Sequence, residues 1–131
     1  MFIKRAVWEE MIHHCKEELP MEACGLLSGN NRKCETLWKM KNVKQNTHSF
    51  EISQKEIDKA FHSIEKKGQT LTGIYHSHPT GAPYPSHQDI VNAHYPKAAY
   101  FIISLVPNIP QVKCFRIIKN RVISIEIKVV N

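Results

Sequence analysis

One stretch restricts what this chain can become more than any other: Tyr75-His76-Ser77-His78-Pro79, followed by Ser86-His87-Gln88-Asp89. The residues before it, Leu71-Thr72-Gly73-Ile74, read as a strand. Those after it, with Gly81, Pro83 and Pro85, read as a turn-rich loop. In an extended segment, side chains two apart share a face. His76 and His78 therefore stand side by side, with Ser77 turned away. Two imidazoles on one rigid face are half of a transition-metal site, and Asp89, from a new element, offers a third ligand. Two histidines and a carboxylate leave a fourth position open for water, the pattern of a catalytic rather than a structural zinc.

The loop leads into a helix that delivers Asp89. Ser86 is a good N-cap, Asp89 stands at capping-box spacing, Ile90, Val91 and Ala93 give an apolar side, and Pro96 is the expected stop. Each half of the pattern also has a plain reading. Ser-x-x-Asp is a common helix start, and His-x-His is often only a surface pair. For both plain readings to hold at this spacing requires a coincidence, so the metal reading is preferred.

A metal hydrolase also needs a base. Glu22 lies in Leu19-Pro20-Met21-Glu22-Ala23-Cys24-Gly25-Leu26-Leu27, just before a short apolar run that reads as a strand. Glu22 in this setting, His76-Ser77-His78-Pro79, a spacer of seven residues and Ser86-x-x-Asp89 together resemble the JAMM (JAB1/MPN+) metalloproteases of the short prokaryotic type. Five functional positions match in identity, order and spacing, and Phe50-x-Ile52 extends the likeness. The resemblance implies an α+β domain: a mixed, largely antiparallel curved sheet flanked by two to three helices, similar to the cytidine-deaminase-like fold, with the metal site at one edge. It implies one zinc ion with a bound water, held by His76, His78 and Asp89. It casts Glu22 as general base and Ser86 as donor to the developing oxyanion. The substrate it implies is an amide bond at the C-terminus of a ubiquitin-like protein. The chain is too short for the large insertions that grip ubiquitin in eukaryotic deubiquitinases, which favours a small sulfur-carrier protein with a Gly-Gly end.

Length and composition set bounds on this. A chain of 131 residues makes one domain, 1–131, large enough for a real core. Met1-Phe2-Ile3-Lys4-Arg5 leads into a charged amphipathic helix, not a signal peptide, and no apolar run approaches membrane-spanning length, so a soluble cytoplasmic protein is expected. Cys15, Cys24, Cys34 and Cys114 form no C-x-x-C pair and read as buried thiols rather than a disulfide framework. The net charge of +6 comes from dispersed Lys and Arg; it suits a solvated surface or an acidic protein partner, and no nucleic-acid module accompanies it.

The remaining elements follow from periodicity. Residues 4–19 read as a helix with Val7, Trp8, Met11, Ile12, Cys15 and Leu19 on one stripe; His13 and His14 read as surface residues. Strands are expected at 24–28 and 34–43, with a turn at Gly29-Asn30-Asn31, and 47–52 is expected to continue the sheet. Ser53 caps a second helix with Ile57, Ala60, Phe61 and Ile64 inward, His62 outward and Gly68 at its end. Residues 98–106 read as a strand buried on both faces, 107–110 as a turn and 111–118 as a strand. The last strand, 122–130, is expected to turn Ile123, Ile125, Ile127 and Val129 inward.

Two rival functions remain. Cys24, two residues after Glu22, allows a cysteine hydrolase with His76 or His78 as activating base, against which stands the plain reading of a buried strand thiol. A non-catalytic MPN-type scaffold or binding module is the other, and the intact ligand set argues against it. His87 reads as a solvated helix-start residue, and His48 and His94 have no evident partner in the sequence.

Overall fold

The computed structural model describes residues 1–131. In chain order the elements are β1 (Phe2–Lys4), α1 (Arg5–Glu17), β2 (Cys24–Gly29), β3 (Lys33–Cys34), β4 (Thr36–Met40), α2 (Gln54–Lys66), β5 (Thr70–His78), α3 (His87–Val91), β6 (Ala99–Ser104), β7 (Gln111–Ile118), β8 (Arg121–Ile125) and β9 (Lys128–Val130). Six strands form one sheet in the order β4-β2-β5-β6-β7-β8, and β3-β1-β9 form a small second sheet. In the larger sheet only β5 and β6 run parallel; the other neighbours are antiparallel. This is the α+β, largely antiparallel architecture expected from the sequence.

Alternation along β5 and β6 divides the core in two. Tyr75, Phe101 and Ile103 pack with Val7, Met11 and Cys15 of α1. Ile74, Tyr100 and Ile102 pack with Ala60 of α2 and with Phe115. All six residues of β6 are buried, as a strand covered on both faces requires. Each large apolar side chain so covered contributes about 1.5–3 kcal/mol. At Gly25, a Cβ would collide with the ring of Tyr75, its cross-strand partner, so only glycine lets that ring fold over β2.

The parallel pair decides where the site lies. Parallel neighbours cannot be joined by a tight hairpin, so the chain must leave the carboxyl end of β5 and cross over before entering β6. That crossover contains α3, which brings Asp89 back over the end of β5 where His76 and His78 project.

Several expected elements differ. Residues 47–52 form no strand: their backbone is bonded within a loop, with Val43 N–H to the Glu51 carbonyl and Glu51 N–H to Asn42 Oδ1. The strand expected at 34–43 is broken at Glu35, whose N–H turns to the Ser28 carbonyl, so β3 joins the small sheet and β4 the large one. The run 122–130 is likewise split between sheets. Its alternation is real, but β8 is an edge strand, and Ile123, expected inward, is 47% exposed. Helix α3 ends at Val91, with Asn92 as its C-cap, short of the expected stop at Pro96. The expected surface residue His14 is 4% exposed, held against Tyr75.

Candidate metal centre

Three side chains converge at the end of β5. His76 Nε2 and His78 Nε2 are 3.1 Å apart, and each is 3.1 Å from Asp89 Oδ2. His76 is buried and the other two half-buried. His78 Nδ1 lies 2.8 Å from the Ala82 carbonyl. A carbonyl only accepts, so Nδ1 carries the proton and Nε2 offers its lone pair. With the His78 proton on Nδ1, at most one proton, on His76 Nε2, is left to share among the three contacts. Donors bound at about 2.0–2.1 Å around a tetrahedral ion stand about 3.3 Å from one another, so this set fits such an ion.

Each ligand is oriented by its neighbours. Ser86 and Asp89 form a full capping box: Ser86 Oγ accepts from the Asp89 N–H at 3.1 Å, and Asp89 Oδ2 accepts from the Ser86 N–H at 2.9 Å. The helix start and the ligand role are therefore one arrangement, since the cap fixes the carboxylate. The ring of His76 is stacked on Phe50, with centroids 4.7 Å apart and planes at 29°. Its Nδ1 is buried and unpartnered. Ser77 faces away, and its Oγ accepts from the Ala23 N–H at 2.9 Å.

Glu22 is held beside this set at the entry to β2. Its N–H donates to the Asn46 carbonyl, and its own carbonyl accepts from Asn42 Nδ2 at 3.0 Å. Asn42 also donates to the Ser49 carbonyl and accepts from Lys44 and Glu51 N–H groups, using all four of its hydrogen-bonding positions. This buried amide locks the loop of Phe50 and His48 onto the backbone of Glu22. No pattern in the sequence singles it out. Glu22 is 4% exposed, and its buried Oε1 has no partner.

Burial pushes Glu22 up to about 8, against the opposing pull of His78 and with reinforcement from Asp89. Burial disfavours the charged form of Asp89, but the imidazoles of His76 and His78 outweigh it and hold the carboxyl far below the usual range. For His78, burial is outweighed by Asp89 and the Ala82 carbonyl, and its value is raised.

Two cavities flank the three ligands. One, of about 150 Å³, is lined by Glu22, Thr47, His48, His78, Thr80 and Ser86 among others. The other, of about 320 Å³, meets His76 and Asp89 at one end and is walled by Phe50, Ile52, Ile57, Phe61, Tyr95 and Tyr100. His48 and His94, without evident partners in the sequence, thus line one cavity each. His87 and His62 are exposed. Cys24 lies beside His76 across the β2–β5 ladder, but burial, with Glu22 and Glu18 adding to it, pushes its thiol up to about 12, which removes the thiolate a cysteine hydrolase needs. All four cysteines are free and buried. No helix is long and apolar enough to cross a membrane.

Comparison with known proteins agrees with this geometry. Residues 4–118 match the model for prokaryotic homologs of the JAB domain. The chain is similar to the CysO-cysteine peptidase of Mycobacterium bovis, 27% identical over 133 residues that cover 99% of this chain and 91% of that one. It is also similar to the desampylase of Haloferax volcanii, 30% identical over 103 residues covering 73% and 74% of the two chains. Among solved structures, protein DSY2949 from Desulfitobacterium hafniense superposes with a TM-score of 0.89 at 34% identity, over 99% of this chain and 93% of that one. The JAB1/MPN domain protein AF2198 from Archaeoglobus fulgidus shares the fold, with a TM-score of 0.69 at 20% identity over the full length of both. The chain therefore belongs to the JAMM (JAB1/MPN+) metalloprotease family, as a hydrolase of its short prokaryotic type.

Proposed function

We propose that this protein is a zinc-dependent peptidase or isopeptidase that hydrolyses an amide bond at the C-terminus of a small ubiquitin-like or sulfur-carrier protein. His76, His78 and Asp89 would hold one zinc ion. When bound, zinc supplies a Lewis acid that brings the pKa of water towards ~7 and polarises the scissile carbonyl. Glu22 takes a proton from the attacking water as general base. The C–N bond breaks, the water oxygen stays on the acyl carbon, and Glu22 returns the proton to the leaving amine. A cation in the ligand set favours the carboxylate form of Glu22 and draws its raised pKa back towards working pH. The Ser86 hydroxyl keeps its proton free while its oxygen caps α3, so it can donate to the developing oxyanion.

One observation carries this reading: three ligand atoms mutually 3.1 Å apart stand beside a cleft that holds Glu22 and Ser86. The named relatives support the substrate class, since one is a CysO-cysteine peptidase and another a desampylase. The test is a zinc-loaded cleavage assay on a ubiquitin-like carrier with a Gly-Gly tail fused to a further residue or peptide. Chelation should stop cleavage and zinc should restore it. A purified protein that takes up no stoichiometric zinc, or that leaves every such carrier intact when loaded, sinks the proposal.

A further inference from the structure

The two cavities beside the ligand set differ in chemistry, and that difference bears on which bond is cut. In the reaction above, Glu22 delivers its proton to the leaving nitrogen, so the leaving fragment must lie on the Glu22 side. On that side is the smaller cleft, and Pro79 is its most apolar lining residue. The hollow itself is about 150 Å³, which seats one small residue against its wall, and anything longer must run out through its open mouth. A lysine joined through its ε-amine would have to lay a four-carbon stem along this polar wall, where its apolar surface gains nothing. A residue joined through its α-amine presents only polar backbone there.

His48 is the cation-capable side chain in this cleft that is not a metal-ligand candidate. Its Nδ1 is 2.6 Å from the hydroxyl of Thr47, which fixes the ring and leaves Nε2 for a ligand. The loop that presents it is anchored by its own N–H on Asn46 Oδ1 and by the four bonds of Asn42. An imidazole hydrogen-bonded at Nδ1, on the same cleft wall as the proton-carrying Glu22, offers a charge-assisted donor to an anionic group on the departing fragment.

Resting on the function proposed above, we infer that this cleft is a leaving-group subsite for a single residue linked by an ordinary peptide bond, and that His48 binds the carboxylate of that residue. The test uses one Gly-Gly carrier in three forms: extended by one residue with a free carboxylate, the same with an amidated end, and joined to a lysine ε-amine of a short peptide. The zinc-loaded protein should cleave the free-carboxylate form about tenfold faster in kcat/KM than the amide, and faster still than the ε-linked form. The carboxylate-to-amide ratio should collapse towards one in His48→Ala and recover in His48→Arg, with the difference in KM rather than kcat. His48 is exposed, so an unchanged melting temperature should show that the fold is intact. Equal rates on α- and ε-linked forms, a wild-type ratio near one, or a ratio that survives His48→Ala overturns the inference while leaving the hydrolase standing. Failure of the zinc-loaded wild type on all three forms overturns the hydrolase reading and this inference with it.

Discussion

Tyr75 and His76 are neighbours on β5, and each anchors a buried polar group on its own face of the sheet. On the α1 face, Tyr75 Oη is 2.6 Å from His14 Nδ1, and His14 Nε2 turns to Glu18 Oε1 at 3.5 Å. With the His14 proton on Nε2, the phenol donates to Nδ1, and every group in the chain has a partner. Burial holds His14 below its ordinary value and pushes the Tyr75 phenol up, so both stay neutral. On the other face, His76 Nδ1 and Glu22 Oε1 are buried without partners, and three atoms able to ligate a metal crowd together at 3.1 Å. Native cores rarely leave such groups unpaired. One strand therefore carries a satisfied cluster that holds helix to sheet and, on its other face, unpaired buried groups beside a donor set that can hold a metal ion.

That contrast is open to attack by mutation, most strongly on the unsatisfied face. Glu22→Gln keeps the shape of the side chain but removes the base, so kcat should fall about 10²–10⁴-fold while zinc content is retained. Substantial turnover in the variant would remove Glu22 from the mechanism. Ser86→Ala should cost about 10²-fold in kcat through the lost oxyanion donor, together with about 1 kcal/mol from the lost cap of α3. A loss of stability without a loss of kcat would return Ser86 to the plain capping role its position also allows.

On the satisfied face the sign of the result should reverse. Tyr75→Phe strands the buried His14 Nδ1 and should destabilise the protein by about 1–3 kcal/mol in urea titration, with zinc affinity and kcat unchanged in the folded fraction. Were this substitution to cost zinc affinity instead, the two faces would be coupled and the division drawn between them wrong.

The sequence disclosed these two faces unequally. His76, His78 and Asp89 could be found because strand period and capping-box spacing are local, and the structure brings all three to one point. His14 could not, because its burial depends on where Tyr75 sits, 61 residues away, and on the absence of a side chain at Gly25. Asn42 was invisible as a site residue for the same reason, since an amide that ties a loop to Glu22 leaves no periodic trace, and Phe50, marked only by the family likeness, gave no sign that its ring stacks on His76. The long apolar run of β6 was legible from composition alone, whereas the split of 122–130 between two sheets depends on β9 finding β1, at the far end of the chain.

The contrast that separates the faces most sharply is a slope of stability with pH in the metal-free protein. Glu22 has a folded pKa of about 8 against an ordinary 4.5. Between those values the folded chain keeps a proton that the unfolded chain releases. Stability from this group is therefore fully present below about pH 4.5, declines as pH rises, and is gone above about pH 8. The slope for one linked proton is at most about 1.4 kcal/mol per pH unit. Glu22→Gln has no such proton to lose, and the raised value of His78 gives both proteins a decline of the same sign. In chelator-treated protein, the stability of wild type minus that of Glu22→Gln should fall steadily across this window and then level off. The same subtraction with Tyr75→Phe should show no such fall: the lowered His14 makes stability rise, not decline, as pH passes its ordinary value of 6.5, and it does so in wild type and variant alike, so it largely cancels, while the raised phenol stays protonated throughout. A flat curve for Glu22 would mean that its carboxyl is solvated after all, and the unsatisfied cluster on which the catalytic assignment rests would lose its base.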